Sequence, residues 1–509
     1  MTVQTHNPVR AVATRATTRD WVGLVVLAFA VLLIAIDATV LDVALPFISA
    51  DLAPSGTQLL WIIDVYSFVL AGLLVTMGTL GDRIGRRRLL LIGAVGFGLA
   101  SVLAAFAVTP AMLIAARVLQ GIAGATLMPA TLGLIRAMFV DARQRTTAIA
   151  VWSAMAGGGA AAGPLLGGWL LEHFWWGSVF LVNIPVMLAL VALGPLVIPE
   201  SRDPKPGRFD VPSSLLSILT MIPIVYAVKE TAAHGFSAEY LIVGAAGLFA
   251  GWAFVRRQRR LADPMIDLQL FARPMFRTAI VTDFLSIFAL AGVLFFGAQY
   301  LQVVLGVSPL TAGLLMLPGT AMSVIGSLAA AWLLRRWRAG HVLAGSVTTT
   351  AVGAAMLLAT PSSGTALSSG SPVVFVVGFF VIGAGVGVAL TTTSDLVVSS
   401  VPTARAGAAS AVAETAYELG AAMGVAVLGS VVMGVFRRGL DVTALTGEQA
   451  ASARETVGAA ASVAPDLTDP ASFLTSVQES FVTGMHLASA ITVMVLAVAA
   501  VNAARLHRR

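Results

Sequence analysis

The sequence predicts an all-α polytopic membrane protein that crosses the bilayer with fourteen transmembrane helices. Of its 509 residues, 58% are hydrophobic and only 11% are charged, whereas about 25% of a typical soluble domain is charged. The apolar residues form segments of about 20 residues, the length that a helix needs to cross the hydrocarbon core. Arginines gather in the short loops between these segments, which also indicates a membrane protein.

The apolar segments define the predicted helices in chain order. These helices occupy 21–46, 58–78, 88–108, 111–135, 146–171, 177–198, 212–231, 240–256, 276–300, 309–333, 341–360, 372–398, 405–435 and 482–503. They group into a six-helix bundle at 21–200, two extra helices with linkers at 201–262, and a six-helix bundle at 263–503, between tails at 1–20 and 504–509.

The arginine-rich loops predict the orientation, because cytoplasmic loops carry an excess of Lys and Arg. Clusters at 83–88, 256–260 and 335–338 then face the cytoplasm, together with both termini. The N-terminal tail shows no small-residue cleavage site, so the first helix is predicted to be a retained signal anchor. The long outer loop at 436–481 could form a short surface helix, although we expect a tolerated external insertion.

The two halves resemble each other in sequence. GDRIGRRR follows the second helix and the weaker cluster LLRRWRAG follows the tenth, while the fifth and thirteenth helices are both rich in small residues. Parallel repeats of this kind are typical of secondary transporters, whose substrate site lies between the halves near the membrane midplane.

Charged residues inside the apolar segments are the first candidates for a functional site. Asp37 lies in the first helix, where an acid at mid-membrane depth costs roughly 2.5–3.5 kcal/mol on insertion scales. Arg117 lies in the otherwise apolar fourth helix, and a buried cation needs a carboxylate or carbonyl partner. Asp37 is the candidate partner, through polar groups or water, with a purely structural pair as the alternative. Asp42 is expected nearer the outer interface.

Asp64 lies one turn into the second helix, with Trp61 and Tyr66 close in sequence. An acid beside aromatic faces can cage a cation, because cation–π attraction adds roughly 0.5–2 kcal/mol. The sequence therefore predicts a cation site here, and a structural acid near the interface is the alternative.

The thirteenth helix carries Glu414 and Glu418, whose spacing places them on one helix face. Inside a membrane, two carboxyls on one face cannot easily be ionised together, which suits a group that gains and loses a proton. Tyr417 lies beside them. Asp283 could face the central cavity, and Asp395 is expected to be solvated or to cap a helix near the inner surface.

The run GTLGDRIGRRR at 78–88 combines glycines that permit close helix approach with an acid among arginines. It resembles the helix 2–3 loop signature of the major facilitator superfamily, where this loop latches the two halves together. The resemblance implies a latch role for Gly78, Gly81, Asp82, Arg83, Gly85 and Arg86.

Further motifs follow in the order of that superfamily and together extend over nearly the whole chain. RVLQG at 117–121 resembles its proton-coupling arginine motif, and IDATV at 36–40 resembles the helix 1 motif of its fourteen-helix drug:proton antiporters. WIIDVYSFVLA, NIP, GVSPLTAGLLMLPG and ETAYELG extend the match. The resemblance to the antiporter helix 5 motif covers Gly159, Gly163, Pro164, Gly167 and Gly168.

Taken together, the intramembrane charges and the resemblance predict two sets of working residues. Those expected to couple protons are Asp37, Arg117, Glu414 and Glu418. Those expected to bind substrate are Asp64, Trp61, Tyr66, Glu414, Tyr417 and Asp283.

Other classes fit the residues poorly. An ATP-driven pump would need a phosphate-binding loop that ends in GK[ST]. Lys205 precedes a proline and Lys229 precedes a glutamate, so neither lysine belongs to such a loop. A membrane-embedded enzyme would need clustered acids or metal ligands, but the six histidines are scattered and cysteine is absent. A symporter or uniporter is disfavoured by the helix 5 motif and the Asp37–Arg117 pair.

We therefore expect a monomeric exporter in the plasma membrane that exchanges protons for amphipathic, mostly cationic drugs. The alternative is a dedicated exporter of one antibiotic or metabolite. Export of dications is in doubt, because the helix at 309–333 lacks the extra acid of some relatives. The expected partners are small-molecule drugs, protons and membrane lipids; no cofactor, metal or nucleic acid is expected.

Overall fold

The computed structural model describes residues 15–54, 56–202, 210–235, 237–261, 264–361, 371–443, 445–455 and 457–505. These residues form helices joined by short connections, and no strand occurs among them. The first half contains α1 (Thr18–Leu52), α2 (Gly56–Ile84), α3 (Arg86–Ala105), α4 (Pro110–Met138), α5 (Ala142–His173), α6 (Ser178–Leu181) and α7 (Asn183–Val197). The intervening pair is α8 (Val211–His234) and α9 (Ala238–Gln258).

The second half has more interruptions than the first. It contains α10 (Pro274–Gln299), α11 (Pro309–Arg336), α12 (Ala339–Met356), α13 (Ser371–Ser399), α14 (Ala406–Met423), α15 (Gly429–Gly439), α16 (Gly447–Glu455), α17 (Val457–Val463) and α18 (Pro470–Arg505). Two π-helical turns lie at Tyr300–Val304 and Gly424–Leu428. Short 3-10 helices lie at Leu268–Ala272, Leu357–Ala359, Thr403–Arg405 and Ala464–Asp466.

The count of membrane-spanning helices agrees with the sequence. Among the described residues, thirteen segments are long and apolar enough to span a membrane, and α5 is a fourteenth if its two parts, which meet at 41°, are one span. In this count α6 and α7 share the segment Ser178–Val197, and α14 and α15 share Ala406–Gly439. The prediction of an all-α chain with fourteen spans is confirmed on that basis.

Local sequence explains where several helices begin. Thr109 accepts a hydrogen bond from the Met112 amide, Asp141 from the Gln144 amide, and Ser308 from the Thr311 amide. Side-chain oxygens of this kind satisfy amides that have no partner within the helix. Proline at the first position of α4 and α11 supplies a backbone angle already suited to a helix.

The intervening pair is fixed to the rest of the molecule along α8. Ile222 lies against Gly72 of α2, and Ser217 and Thr76 are hydrogen-bonded at 3.4 Å. At the start of α8, Asp210 accepts hydrogen bonds from Arg257 of α9, which hold the pKa of Asp210 below its usual range. The pair is therefore a packed part of the fold rather than a loose insertion.

The described residues of the segment 436–481 are largely helical and pack against the second half. The apolar residues Ala453, Val457 and Ala460 are fully buried and belong to the same core cluster as Phe436 and Phe481. The last helix begins at 470 rather than 482, and its 36 residues correspond to roughly 54 Å. Since the hydrocarbon core is about 30 Å thick, α18 continues well beyond the membrane.

Candidate functional site

A buried ion pair joins the first and fourth helices. Arg117 Nη1 of α4 lies 2.8 Å from Asp37 Oδ2 of α1. Each residue is 1% exposed, so the pair is enclosed by protein. The sequence predicted this partnership through polar groups or water, whereas the structure shows direct contact.

Three polar side chains complete the surroundings of Asp37. Asn183 Nδ2 donates to Asp37 Oδ1 at 2.9 Å, and Gln120 Nε2 donates to the same oxygen at 3.4 Å. Ser101 Oγ accepts hydrogen bonds from both amides, at 3.1 and 3.0 Å. Helices α3, α4 and α7 thus all contribute to holding one carboxylate of α1. We refer to these five residues as the Asp37 network.

Sequence reasoning did not identify Ser101 or Asn183 as site residues. Asn183 stood within the NIP motif, and a buried amide in an apolar segment is the signal that could have singled it out. Ser101 left no comparable signal, because isolated serines are common in membrane helices.

The two aromatic residues that lie close to Asp64 in the sequence, Trp61 and Tyr66, have surroundings that differ from each other. The Arg117 guanidinium lies 4.5 Å above the Tyr66 ring, and Tyr66 is buried. Trp61 is exposed by 42% and contacts Phe68 edge-on, with 6.3 Å between ring centroids. Tyr66 is thus part of the Asp37 network's surroundings rather than a wall shared with Trp61. The side chain of Asp64, like those of Asp42 and Pro164, lies outside the described residues.

The glycines of α5 bring this helix against α1 beside Asp37. A Cβ atom on Gly159 would meet the Leu32 carbonyl, and one on Gly163 would meet Thr39. Gly167 lies against Val40 of α1, since a Cβ there would approach it to 2.7 Å. Gly168 differs, because a Cβ there would meet nothing within 4 Å. Close packing therefore explains why three positions of the motif are glycine, but it does not explain Gly168.

The C-terminal half contains its own buried acids. Asp283 of α10 is 4% exposed and accepts a hydrogen bond from Thr393 Oγ1 of α13 at 2.9 Å. Glu414 of α14 is 6% exposed, and it lies close enough to Asp283 and Glu418 for their negative charges to repel. Tyr417 and Glu418 are partly buried on the same helix. The structure thus brings together the four C-terminal residues that the sequence singled out.

Among the described residues, no group of three or more His, Asp or Glu side chains could hold a metal ion.

The glycine–arginine loop joins the two halves at the end of the molecule that carries the arginine clusters, which we call the basic end. Asp82 of α2 accepts hydrogen bonds from the backbone amides of Gly407 and Ala408, at 3.1 and 3.0 Å. These amides open α14, where a helix carries partial positive charge. Gly78 lies against Ala411 and Gly407, which leaves no room for a side chain.

Arg86 links the loop to several elements at once. Its guanidinium bonds to Asp82, to the Gly133 carbonyl of α4, to Ser201 Oγ, and to the Thr403 carbonyl of the second half. Gly85 has φ +113°, a conformation that favours glycine. Gly81 packs closely on Leu89, and Arg83 is partly buried.

A second contact between the halves lies near the first. Arg145 Nε of α5 lies 3.3 Å from Asp395 Oδ1 of α13, and Thr146 donates to the other carboxylate oxygen at 3.2 Å. Asp395 was expected to be solvated or to cap a helix, and the structure instead pairs it across the two halves. With the Asp82 contacts, this pair joins the two halves at the basic end.

Comparison with known proteins agrees with this architecture. The family model "Major Facilitator Superfamily" matches residues 27–425. The chain belongs to the Major Facilitator Superfamily, and it is a multi-pass plasma-membrane protein of a transporter family.

Comparison with individual proteins shows which members of the superfamily this chain is similar to in sequence. The chain is 50% identical to the multidrug efflux pump LfrA of Mycolicibacterium smegmatis over 492 residues, 96% of each protein. It is 38% identical to the methyl viologen resistance protein SmvA of Salmonella typhimurium, over 88% of this chain and 90% of SmvA. The tetracenomycin C resistance and export protein of Streptomyces glaucescens is 32% identical, over 98% and 95%.

A solved structure shows the same fold. The crystal structure of the human organic anion transporter MFSD10 (TETRAN) aligns with a TM-score of 0.59 and covers 94% of this chain and 99% of its own. At 16% identity, this likeness concerns the fold alone.

Proposed function

We propose that this protein is an efflux pump that exports amphipathic, mostly cationic drugs, dyes or antiseptics in exchange for protons. The observation that carries the proposal is the fully buried Asp37–Arg117 pair within a chain similar over its length to multidrug pumps. A carboxylate buried in a membrane helix bundle is costly to keep without a function. Its proton affinity depends on whether Arg117 stays within reach.

The Asp37 network offers a direct way to couple a proton to a change of conformation. With Asp37 ionised, Arg117, Asn183 and Gln120 all donate to it and tie α1 to α4 and α7. A proton on Asp37 removes the negative charge that holds Arg117. The contacts between α1 and its neighbours then weaken, and α1 can shift along the glycine face of α5.

The acids of the C-terminal half supply the charge for a cationic substrate. Glu414, Glu418 and Tyr417 share one region of α14 near Asp283. A cation placed there is attracted by the carboxylates and can contact the tyrosine ring. Protonation of these acids weakens that attraction, so protons and drug compete for the protein.

The two halves are joined at the basic end, and we propose that this end is closed and faces the cytoplasm. The Asp82 and Asp395 contacts then seal the inner side while the opposite side receives protons and releases drug. Breaking both contacts lets the halves rock apart around the central site, as in alternating access.

Transport by purified protein in liposomes tests the proposal. We expect an imposed pH gradient to drive a fluorescent lipophilic cation against its own gradient, and Asp37→Asn to abolish this movement. Asp51→Asn is the matched control, because Asp51 lies on the same helix, is exposed, and accepts a bond from Trp176 that an amide can also accept. Movement of the cation without any dependence on the proton gradient would contradict the exchange mechanism.

A dedicated exporter of one antibiotic or metabolite is the second candidate. Relatives named for resistance to tetracenomycin C and to puromycin favour it, at 32% and 36% identity. A panel of monovalent dyes, methyl viologen as a dication, and neutral antibiotics separates the two. Competition among several unrelated cations supports the multidrug pump, whereas transport of a single compound supports the dedicated exporter.

A further inference from the structure

Asp283 differs from Asp37 in having no cation beside it. Thr393 donates a hydrogen bond to Oδ1, and no ion pair joins Asp283 to a cation among the described residues. A buried charge without a cation is among the costliest groups to enclose in a protein. In this conformation Asp283 is therefore well placed to carry a proton, as is Glu414, which is also buried and has no ion pair with a cation among the described residues.

The helices packed against α10 surround Asp283 with acids, a hydroxyl and apolar residues. Glu414 and Tyr417 of α14 are the titratable groups that face it, and α13 contributes the Thr393 hydroxyl. Helices α12 and α18 pack on α10 through apolar residues, including Val347 and Leu496.

Two hydroxyls adjoin Asp283 on α10 itself. Thr282 Oγ1 and Ser286 Oγ are both buried and have no hydrogen-bond partner among the described residues. Ser286 lies three residues after Asp283, on the same face of the helix. Buried hydroxyls of this kind usually have a partner, so Ser286 offers an unused donor and acceptor on the face of α10 that carries Asp283.

We propose that Asp283 is a second proton-carrying residue of the transport cycle, positioned by Thr393, and that it releases its proton when a cation binds beside Glu414. This inference rests on the proposed exchange of drug for protons. A cation beside Glu414 offsets the repulsion between the two carboxylates, so Asp283 can ionise. Its O–H bond breaks, the proton passes to water, and the Thr393 hydroxyl remains bonded to the carboxylate. Drug and proton then exchange in the second half, as they do through Asp37 in the first.

Proton release on binding tests this assignment directly. Purified protein in weakly buffered detergent solution, with a pH indicator, is titrated with tetraphenylphosphonium while bound cation is measured by equilibrium dialysis. We expect Asp283→Asn to release about one proton fewer per bound cation than the wild type, whatever its affinity, since the amide has no proton to give.

The outcomes separate the two proposals. No proton release by the wild type overturns the exchange mechanism itself. Release by the wild type that Asp283→Asn retains in full overturns only the role of Asp283 and leaves exchange through Asp37 standing.

Thr393→Val tests the positioning role with less risk to folding, because valine has nearly the same shape. Loss of the hydroxyl removes a hydrogen bond that favours the ionised carboxylate, so proton release should move to higher pH. Thr392→Val is the matched control, since Thr392 is equally buried and bonds only to the Val388 carbonyl of its own helix. Thr393→Ser should restore the wild-type profile, and identical profiles for Thr393→Val and Thr392→Val would refute the positioning role.

Discussion

At the scale of single residues, the Asp37 network shows what a charge needs inside a membrane. The carboxylate receives bonds from one guanidinium and two amides, and Ser101 orients both amides. The pairing of Asp37 with Arg117 was predictable, because a charged side chain in an apolar helix needs a partner of opposite charge. The amide of Asn183 was not, because an uncharged polar residue gives no comparable reason to expect a particular neighbour.

Replacing Asn183 by leucine should weaken both folding and coupling. The substitution leaves Asp37 buried with one donor fewer, which costs about 1–3 kcal/mol. Thermal unfolding in detergent measures the first effect, and proton-driven transport of a lipophilic cation measures the second. Ser178→Ala is the control in the same span, because the buried Ser178 hydroxyl has no partner among the described residues. Equal behaviour of the two variants would contradict the role given to Asn183.

At the scale of helices, close packing explains several of the glycines in the motifs. The resemblance marked the glycines of α5, but only the structure shows that Gly163 meets Thr39 of α1 while Gly168 meets nothing. The length of α18 was also missed. Residues 470–481 are less apolar than a membrane span, and hydropathy detects the bilayer rather than the end of a helix.

Alanine substitutions at these two glycines should therefore differ. Gly163→Ala forces α5 away from α1 and is expected to cost about 1–3 kcal/mol, as overpacking does. Transport should fall with it, because α1 carries Asp37. Gly168→Ala should leave unfolding temperature and transport near the wild-type values. Similar losses in both variants would show that the glycines serve some purpose other than close packing.

At the scale of the whole molecule, the two halves pack along α5 and α11 and along α2 and α14, and polar contacts join them at the basic end. Asp82 was predicted as part of a latch, but its partners are backbone amides of Gly407 and Ala408, which no sequence pattern reveals. Asp395 was not expected in the contact at all. The division into bundles at 21–200 and 263–503 and the monomeric state stay predictions.

Asp82→Asn should open the basic end more often. Hydrogen bonds to a charged group contribute about 1.5–3 kcal/mol, so the open population should rise on the order of tenfold. Cysteine introduced at Ala411, which is buried against Gly78, reports this opening through maleimide labelling. The chain has no cysteine of its own, so the background is low.

Asp210→Asn is the control for that labelling experiment. Asp210 pairs with Arg257 within the intervening helices and does not join the two halves. Labelling that rises equally in Asp82→Asn and Asp210→Asn would show that the effect is general loosening rather than loss of the latch.

The position of α8 makes the two flanks of the pump unequal. On one flank, Val225 and Tyr226 of α8 cover the line where Phe68 of α2 meets Leu419 of α14. On the other, Gly157 of α5 packs directly on Ser323 of α11. If the lipid is the reservoir of a hydrophobic cation, we expect the cation to enter on this α5–α11 flank, away from α8.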